Sequence, residues 1–273
     1  GQIHRKPEIV TEGRLYFFSL FVYNDLREQK EKVQNMKDIL DSHTHTIASG
    51  HAYSTLHEMA RAAADKGLEL LGITEHAMAM PGTCHEYYFM NMRILPRTMY
   101  GIEIRHGAEV NIMDTDGRID MDEYLLQQMD VVIASMHTPC MQKNAGKDGN
   151  TRAAIKAMEN PYVNILGHPD DSRFPLDYEA VVRSAKEQGV LLELNNNSLH
   201  PLGARQNPLP NDIEMLEYCM KYGSPIILGS DAHTQEDVGN HKFVQILLEE
   251  LDFPEELIVN RSVKEYQKYI NRK

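Results

Sequence analysis

Residues 68–74 read LELLGIT, and Glu75 and His76 follow directly. The run is apolar at nearly every position and too short for an amphipathic helix. A strand buried on both faces reads this way, because neither side has to meet water. Three further stretches share the pattern: VVIAS at 131–135, VLLEL at 190–194 and PIILG at 225–229. Strands at 39–42, 104–112 and 163–166 bring the set to seven. Helical stretches separate them. Thr55 with Glu58 three residues on makes a capping box for a helix ending near Gly67. Others are expected within 87–99 and over 151–159, 178–188, 212–222, 241–251 and 263–270. Asp116-Gly117 reads as a turn. Alternating strand and helix predict a parallel α/β fold, either a barrel or an open doubly wound sheet. The chain contains no GxGxxG or GxxxxGK[ST] loop, so a nucleotide-binding open sheet lacks its usual marker.

Polar residues collect at one end of these strands. The first runs into Asp41-Ser42-His43-Thr44-His45, and residues two apart on a strand face the same side, so His43 and His45 point together. The second ends in Thr74-Glu75-His76. The third carries Glu109 inside the otherwise apolar GAEVNI. His137 follows the fourth, His168 the fifth, and Asp231 and His233 the seventh, while His51 lies in the loop after the first. A core histidine with an ordinary partner explains any one of these, but not histidines at the same end of five strands. In α/β barrels the C-terminal strand ends form the active face. Seven histidines and two carboxylates buried there need partners, and metal ions supply them. The remaining histidines, His4, His57, His85, His106, His200 and His241, read as surface or structural, with His200 placed nearest the active face.

The ordered set DSHTHT, HAYS, TEH, Glu109, His137, GHP and SDAH resembles the PHP (polymerase and histidinol phosphatase) superfamily over residues 36–270. HAYSTL, MNMRILPR, LELNNNS and LGSDAHT are similar to its compact YcdX-type phosphatase branch. The resemblance implies a distorted seven-stranded (β/α)7 barrel with a trinuclear metal centre at the C-terminal strand ends. It implies that one metal takes His43, His45, Glu109 and Asp231, a second Glu109, His137 and His168, and a third His51, His76 and His233. Glu75 stands where the family more often has Asp, which bears on how the neighbouring ligand is oriented. The ligand set suits zinc first, with manganese or iron as alternatives.

Clustered divalent ions suit phosphoryl chemistry. The expected activity is hydrolysis of a phosphate ester, a small phosphomonoester first and histidinol phosphate among them. A metal-bridging hydroxide would act as nucleophile, positioned by Glu109 and Asp231. Loop 195–207 leaves the active face, stiffened by Pro201 and flanked by Pro208. It offers Asn196, His200 and Arg205 toward the substrate, and an arginine fork suits phosphate. Three alternatives stay open: a phosphodiesterase or nuclease, an amidohydrolase, and a non-enzymatic metal-binding protein.

Composition narrows these. The chain has 273 residues, with 28 Lys+Arg against 40 Asp+Glu, a formal charge of −12. So acidic a chain is a poor partner for nucleic acid. The longest apolar run, LYFFSLFVY at 15–23, is far short of the roughly 20 residues that span a bilayer. Three scattered cysteines form neither a disulfide framework nor a CxxC site, which makes a reducing cytoplasm the simplest compartment. Residues 1–35 read as an extension or leader ahead of a single barrel domain at 36–273. An arm that packs its aromatic run on a neighbouring subunit, and so a homo-oligomer, stays open.

Overall fold

The computed structural model describes residues 38–141 and 145–271. The expectation for residues 1–35 lies outside them. Seven parallel strands form the sheet: β1 (Leu40–Asp41), β2 (Leu70–His76), β4 (Ile102–Asn111), β5 (Val131–Ser135), β6 (Ile165–Leu166), β7 (Leu191–Asn195) and β8 (Ile226–Gly229), in that spatial order. A short β3 (Thr98–Met99) pairs antiparallel with β4. Beyond β1 and β8 a parallel bridge joins Thr44 to Ala232, with Nα of His45 donating to the Ala232 carbonyl at 2.9 Å. That bridge brings the two ends of the sheet together, giving the barrel rather than the open alternative.

The interior is graded from apolar to polar along the strands. Leu40, Leu70, Val131, Ile165 and Leu191, each the first residue of its strand, pack with Ile227 against Tyr266 and Ile270. The latter two belong to the last helix, which plugs this end. Each such side chain stabilises by roughly 1.5–3 kcal/mol when fully buried. Along β2, Leu71 and Ile73 face outward onto Met59, Ala60 and Ala63 of helix α1 (Leu56–Asp65). Leu70 and His76, an even number of residues apart, share the inner face. The strands therefore start in hydrocarbon and end in ligand-bearing polar side chains.

Local sequence explains most boundaries. Thr55 and Glu58 form the expected capping box of α1. Helix α2 (Glu86–Asn91) is shorter than the 87–99 stretch allowed. A 3-10 turn follows it, Pro96 bars continuation, and β3 then folds back on β4. The two residues between them, Tyr100 and Gly101, both have positive φ (50° and 85°), the conformation a tight two-residue hairpin requires. The short α3 (Glu123–Leu126) is capped by Asp122, and α4 (Gly146–Met158) starts earlier than 151. Helix α5 (Tyr178–Gln188) falls as expected, capped by Asp177 and ended by Gly189 in the left-handed region. Helix α6 (Pro208–Tyr222) begins a turn early because Pro208 serves as its first helical residue. Helices α7 (Lys242–Glu250) and α8 (Val263–Ile270) complete the chain. None of the described helices is long and apolar enough to cross a membrane.

Candidate metal centre

All nine residues expected as ligands converge at the polar end of the barrel. The Thr44 bridge keeps the segment after β1 extended, so His43 and His45 point inward together while the Thr44 hydroxyl donates outward to the Gly72 carbonyl (2.7 Å). Glu109 lies beside His76 in the β2–β4 register. Its carboxylate is the hub. Oε2 lies 2.8 Å from Nδ1 of His76 and 3.4 Å from Nε2 of both His43 and His45. Oε1 lies 2.8 Å from Nε2 of His168 and 3.3 Å from Nε2 of His137. Asp231 sits 3.6 Å from His43 and 3.4 Å from His45. His51 reaches His76, Nε2 to Nε2, at 3.2 Å, and its ring stacks on His233. Three triplets place their ligand atoms within 4.8 Å of one another: His43, His45 and Asp231; His76, Glu109 and His137; His45, His76 and His233. His45 and His76 each serve two triplets, so the donors form one continuous set.

The hydrogen bonds behind the cluster decide what it can hold. Nδ1 of His43 lies 2.6 Å from Oε1 of Glu193, a carboxylate that can only accept, so this nitrogen carries the proton. Ser49 donates its hydroxyl proton to Glu75 (2.6 Å) and must therefore accept from Nδ1 of His45 at 3.0 Å. That leaves the two Nε2 atoms facing each other at 3.1 Å, with Nε2 of His45 as an acceptor. Two lone pairs repel at that distance unless a cation lies between them, and a proton or a metal ion competes for the place. Glu109 Oε2 and His76 Nδ1, also buried, lie 2.8 Å apart but make no hydrogen bond to each other or to another described residue. Asn111 fixes His137 through Nδ1 (2.7 Å), and the Asp231 carbonyl fixes His233 (2.9 Å). The residues present thus fit divalent metal ions, with one nitrogen of His43, His45, His137 and His233 held outward and the other turned into the cluster.

Electrostatics agrees. Burial pushes Glu109 up, but the imidazoles of His137, His43 and His76 hold it well below the usual carboxylate range. Asp231 is also held well below that range, by His43 and Arg205 against its burial. Burial, then His76 and His233, push His45 well down and His51 down to about 4, and burial lowers His137. These shifts favour the neutral form of His45, His51 and His137, the form that binds metal. His43 moves the other way: burial would lower it, yet Glu193, Glu109 and Asp231 hold it well above its ordinary value. Two residues of the set, His168 (φ 26°) and Asp231 (φ 53°), hold left-handed backbone, which costs a side-chain-bearing residue about 1–2 kcal/mol. Such outliers persist where surrounding structure over-determines them.

Arg205 and Asn196 fare differently. Arg205 is nearly buried, with Nη2 3.0 Å from Asp231, and lines a cavity of about 370 Å³ together with His51, His76, His137, His168 and His233. Asn196 is buried with its Oδ1 accepting from the backbone of Phe243 (2.8 Å) and Val244, in the first turn of α7. Its carboxamide oxygen serves the fold. Glu193 and Asn111 are the site residues that sequence reading passed over. Glu75 accepts from the Thr46 amide and hydroxyl, Ser49 and Tyr88, and so orients His45 through Ser49.

Comparisons with known proteins point one way. The sequence pattern of the PHP domain matches residues 41–197. A probable phosphatase of Clostridium novyi is 44% identical over 238 residues, covering 87% of this chain and 96% of that protein. Another, of Acetivibrio thermocellus, is 45% identical over 238 residues, covering 87% and 97%. Among solved structures, the histidinol phosphate phosphatase of Lactococcus lactis, complexed with zinc, L-histidinol and phosphate, superposes with a TM-score of 0.53. It is 16% identical and covers 80% of this chain and 95% of its own, a likeness of fold.

Proposed function

The chain belongs to the PHP domain family, and from that premise we propose that it is a metal-dependent phosphatase hydrolysing small phosphomonoesters. Three divalent ions would be held by His43, His45, His51, His76, Glu109, His137, His168, Asp231 and His233, with zinc the first choice and manganese or iron the alternatives. The observation that carries the reading is the convergence of Nε2 of His43 and His45, 3.1 Å apart, on the buried Glu109 carboxylate. Either a proton on His43 or a divalent ion satisfies that contact, and the two compete for it. The relatives' description as probable phosphatases supports the reaction class.

Such ions acidify water and offset charge on phosphate oxygens. The chain's own part is geometric. Glu109 binds from the centre, where five imidazoles approach its two oxygens, and Glu193, Ser49 and Asn111 hold the rings of His43, His45 and His137 in the tautomers that turn a lone pair inward. Glu109 and Asp231 do not balance three divalent ions, so the pocket attracts an anion despite the chain's −12. Arg205, anchored on Asp231, presents donors to a phosphate and fixes its orientation. The acidic surface disfavours nucleic acid as substrate. Nothing in this scheme requires a covalent protein intermediate.

The test is metal depletion and reloading of the purified protein, with metal content and phosphate release followed together. Wild-type protein should take up more than one equivalent and hydrolyse p-nitrophenyl phosphate only when loaded. Glu109→Gln keeps the size but removes the charge, and should lose more than one equivalent and at least about 100-fold in turnover. Full metal content in that variant would remove Glu109 from the centre, and activity in the depleted protein would overturn the mechanism.

A further inference from the structure

Beside the histidine-lined cavity lies a smaller one of about 190 Å³. The two share Asn197, Leu202 and Asp231 in their walls, so a molecule held over the histidines can extend from one into the other. Their charge differs. The first is lined by Arg173 and Arg205 beside their partners Asp171 and Asp231, and no lysine or arginine is among the described residues lining the second. The smaller cavity is walled by Asn197, Asn240, His200, Asp231 and Asp237. Asp231 faces the histidines and pairs with Arg205. Asp237 is exposed and accepts from Nδ2 of Asn240 at 3.4 Å, so it brings a solvated negative charge to the rim. His200 accepts the Leu202 amide on Nδ1 (3.0 Å), which leaves an N–H donor on Nε2 of the neutral ring.

We propose that this second cavity binds the alcohol half of the phosphate ester, and that it selects a small polyol carrying no second anionic group. The inference rests on the phosphatase reading, since it assigns the phosphate to the arginine and histidine side. The walls mix acceptors and donors, the Asp231 and Asp237 carboxylates beside asparagine carboxamides and the His200 N–H, which matches hydroxyls, groups that both donate and accept. Leu202, largely exposed at the shared wall, supplies the apolar contact a carbon chain needs. The volume leaves room for a short hydroxylated chain. A carboxylate or second phosphate entering here meets Asp237 as a like charge. At the partly screened distances of a cavity rim this amounts to about tenfold in kcat/KM.

A matched pair of probes tests this. Glycerol 3-phosphate and 3-phosphoglycerate share one carbon frame and differ by a hydroxymethyl against a carboxylate. With metal-loaded protein, kcat/KM should favour glycerol 3-phosphate by about tenfold or more. Asp237→Lys should lower that ratio by about tenfold, and Asp237→Asn by less, with metal content and circular dichroism as checks on each variant. p-Nitrophenyl phosphate separates the two levels of the argument. If none of the three esters is hydrolysed, the phosphatase reading falls and this subsite with it. If p-nitrophenyl phosphate is hydrolysed but the ratio is near one, or does not respond to Asp237, the subsite assignment alone is overturned.

Discussion

Glu193 joins two of the histidines. One oxygen accepts from the His43 ring at 2.6 Å, and the other accepts from the backbone of His168 at 2.8 Å and from Asn195 at 3.1 Å. Every partner is a donor, so both oxygens must be acceptors. Glu193→Gln satisfies only one side: its amide would point N–H at N–H, toward either the His43 ring or the His168 amide. The expected result is a metal affinity about 10–100-fold weaker, with circular dichroism close to wild type. Competition with a chromophoric chelator measures it, and unchanged affinity would show that Glu193 does not orient His43. Most of the ligands were legible in the sequence because they stand at or just beyond a strand end, where a histidine is out of keeping with the apolar run before it; Glu109 lies inside its strand and His51 in a loop. Glu193 lies inside VLLEL and resembles Glu109 inside GAEVNI, so a buried carboxylate in an apolar strand was the available signal. Its partner stands 150 residues away, and only the barrel's closure brings them together.

The strands had to be thin as well as apolar. Gly229, the last residue of β8, lies opposite Asn195 of β7. A Cβ added to Gly229 would fall 2.0 Å from Oε1 of Glu193 and 3.1 Å from Cβ of His43. The carboxylate would have to move off the imidazole it holds. Gly229→Ala should therefore destabilise by about 1–3 kcal/mol through overpacking. It should also weaken metal binding in the same direction as Glu193→Gln. Thermal unfolding with and without chelator separates the effects: the variant should lose more of the stabilisation that metal gives. An unchanged Tm in both conditions would mean that β7 and β8 have slack there. The pattern PIILG showed a buried strand, and it places no constraint on what crosses the final glycine. Element order was legible for the same reason that boundaries were not. Apolar runs report burial, whereas the hairpin at Tyr100-Gly101 and the early start of α6 at Pro208 depend on local backbone chemistry.

At the scale of the whole molecule the seam between first and last strands closes the barrel. Its backbone bridge is short, and a buried polar cluster reinforces it. Asp41, at the end of β1, accepts from Ser230 Oγ (2.5 Å) and N (3.2 Å) and from the Gly239 amide (2.8 Å). His241, read from sequence as a residue at a helix start, is buried between Asp41 (3.7 Å) and Asp38, which it contacts through Nδ1. Burial alone would lower its pKa, but the charges of Asp38 and Asp41 raise it from 6.5 to about 10. The sign follows from linkage. A histidine with a raised folded-state pKa contributes its stability in full below the unfolded value, and loses it as pH climbs toward the folded one. The window here runs from about pH 6.5 to about 10, and the contribution at its acid end is on the order of a few kcal/mol. Asp38→Asn removes the nearer charge and leaves the ring buried, so the folded pKa should fall and the window should narrow. Between pH 6 and 9.5 the wild-type Tm should drop by roughly 5 °C more than that of the variant, given about 2–4 °C per kcal/mol for a domain of this size. The comparison cancels lysines and tyrosines that titrate in both proteins. Parallel curves would mean that His241 is neutral in the folded state and that the seam is held by its backbone bridge and Ser230 instead.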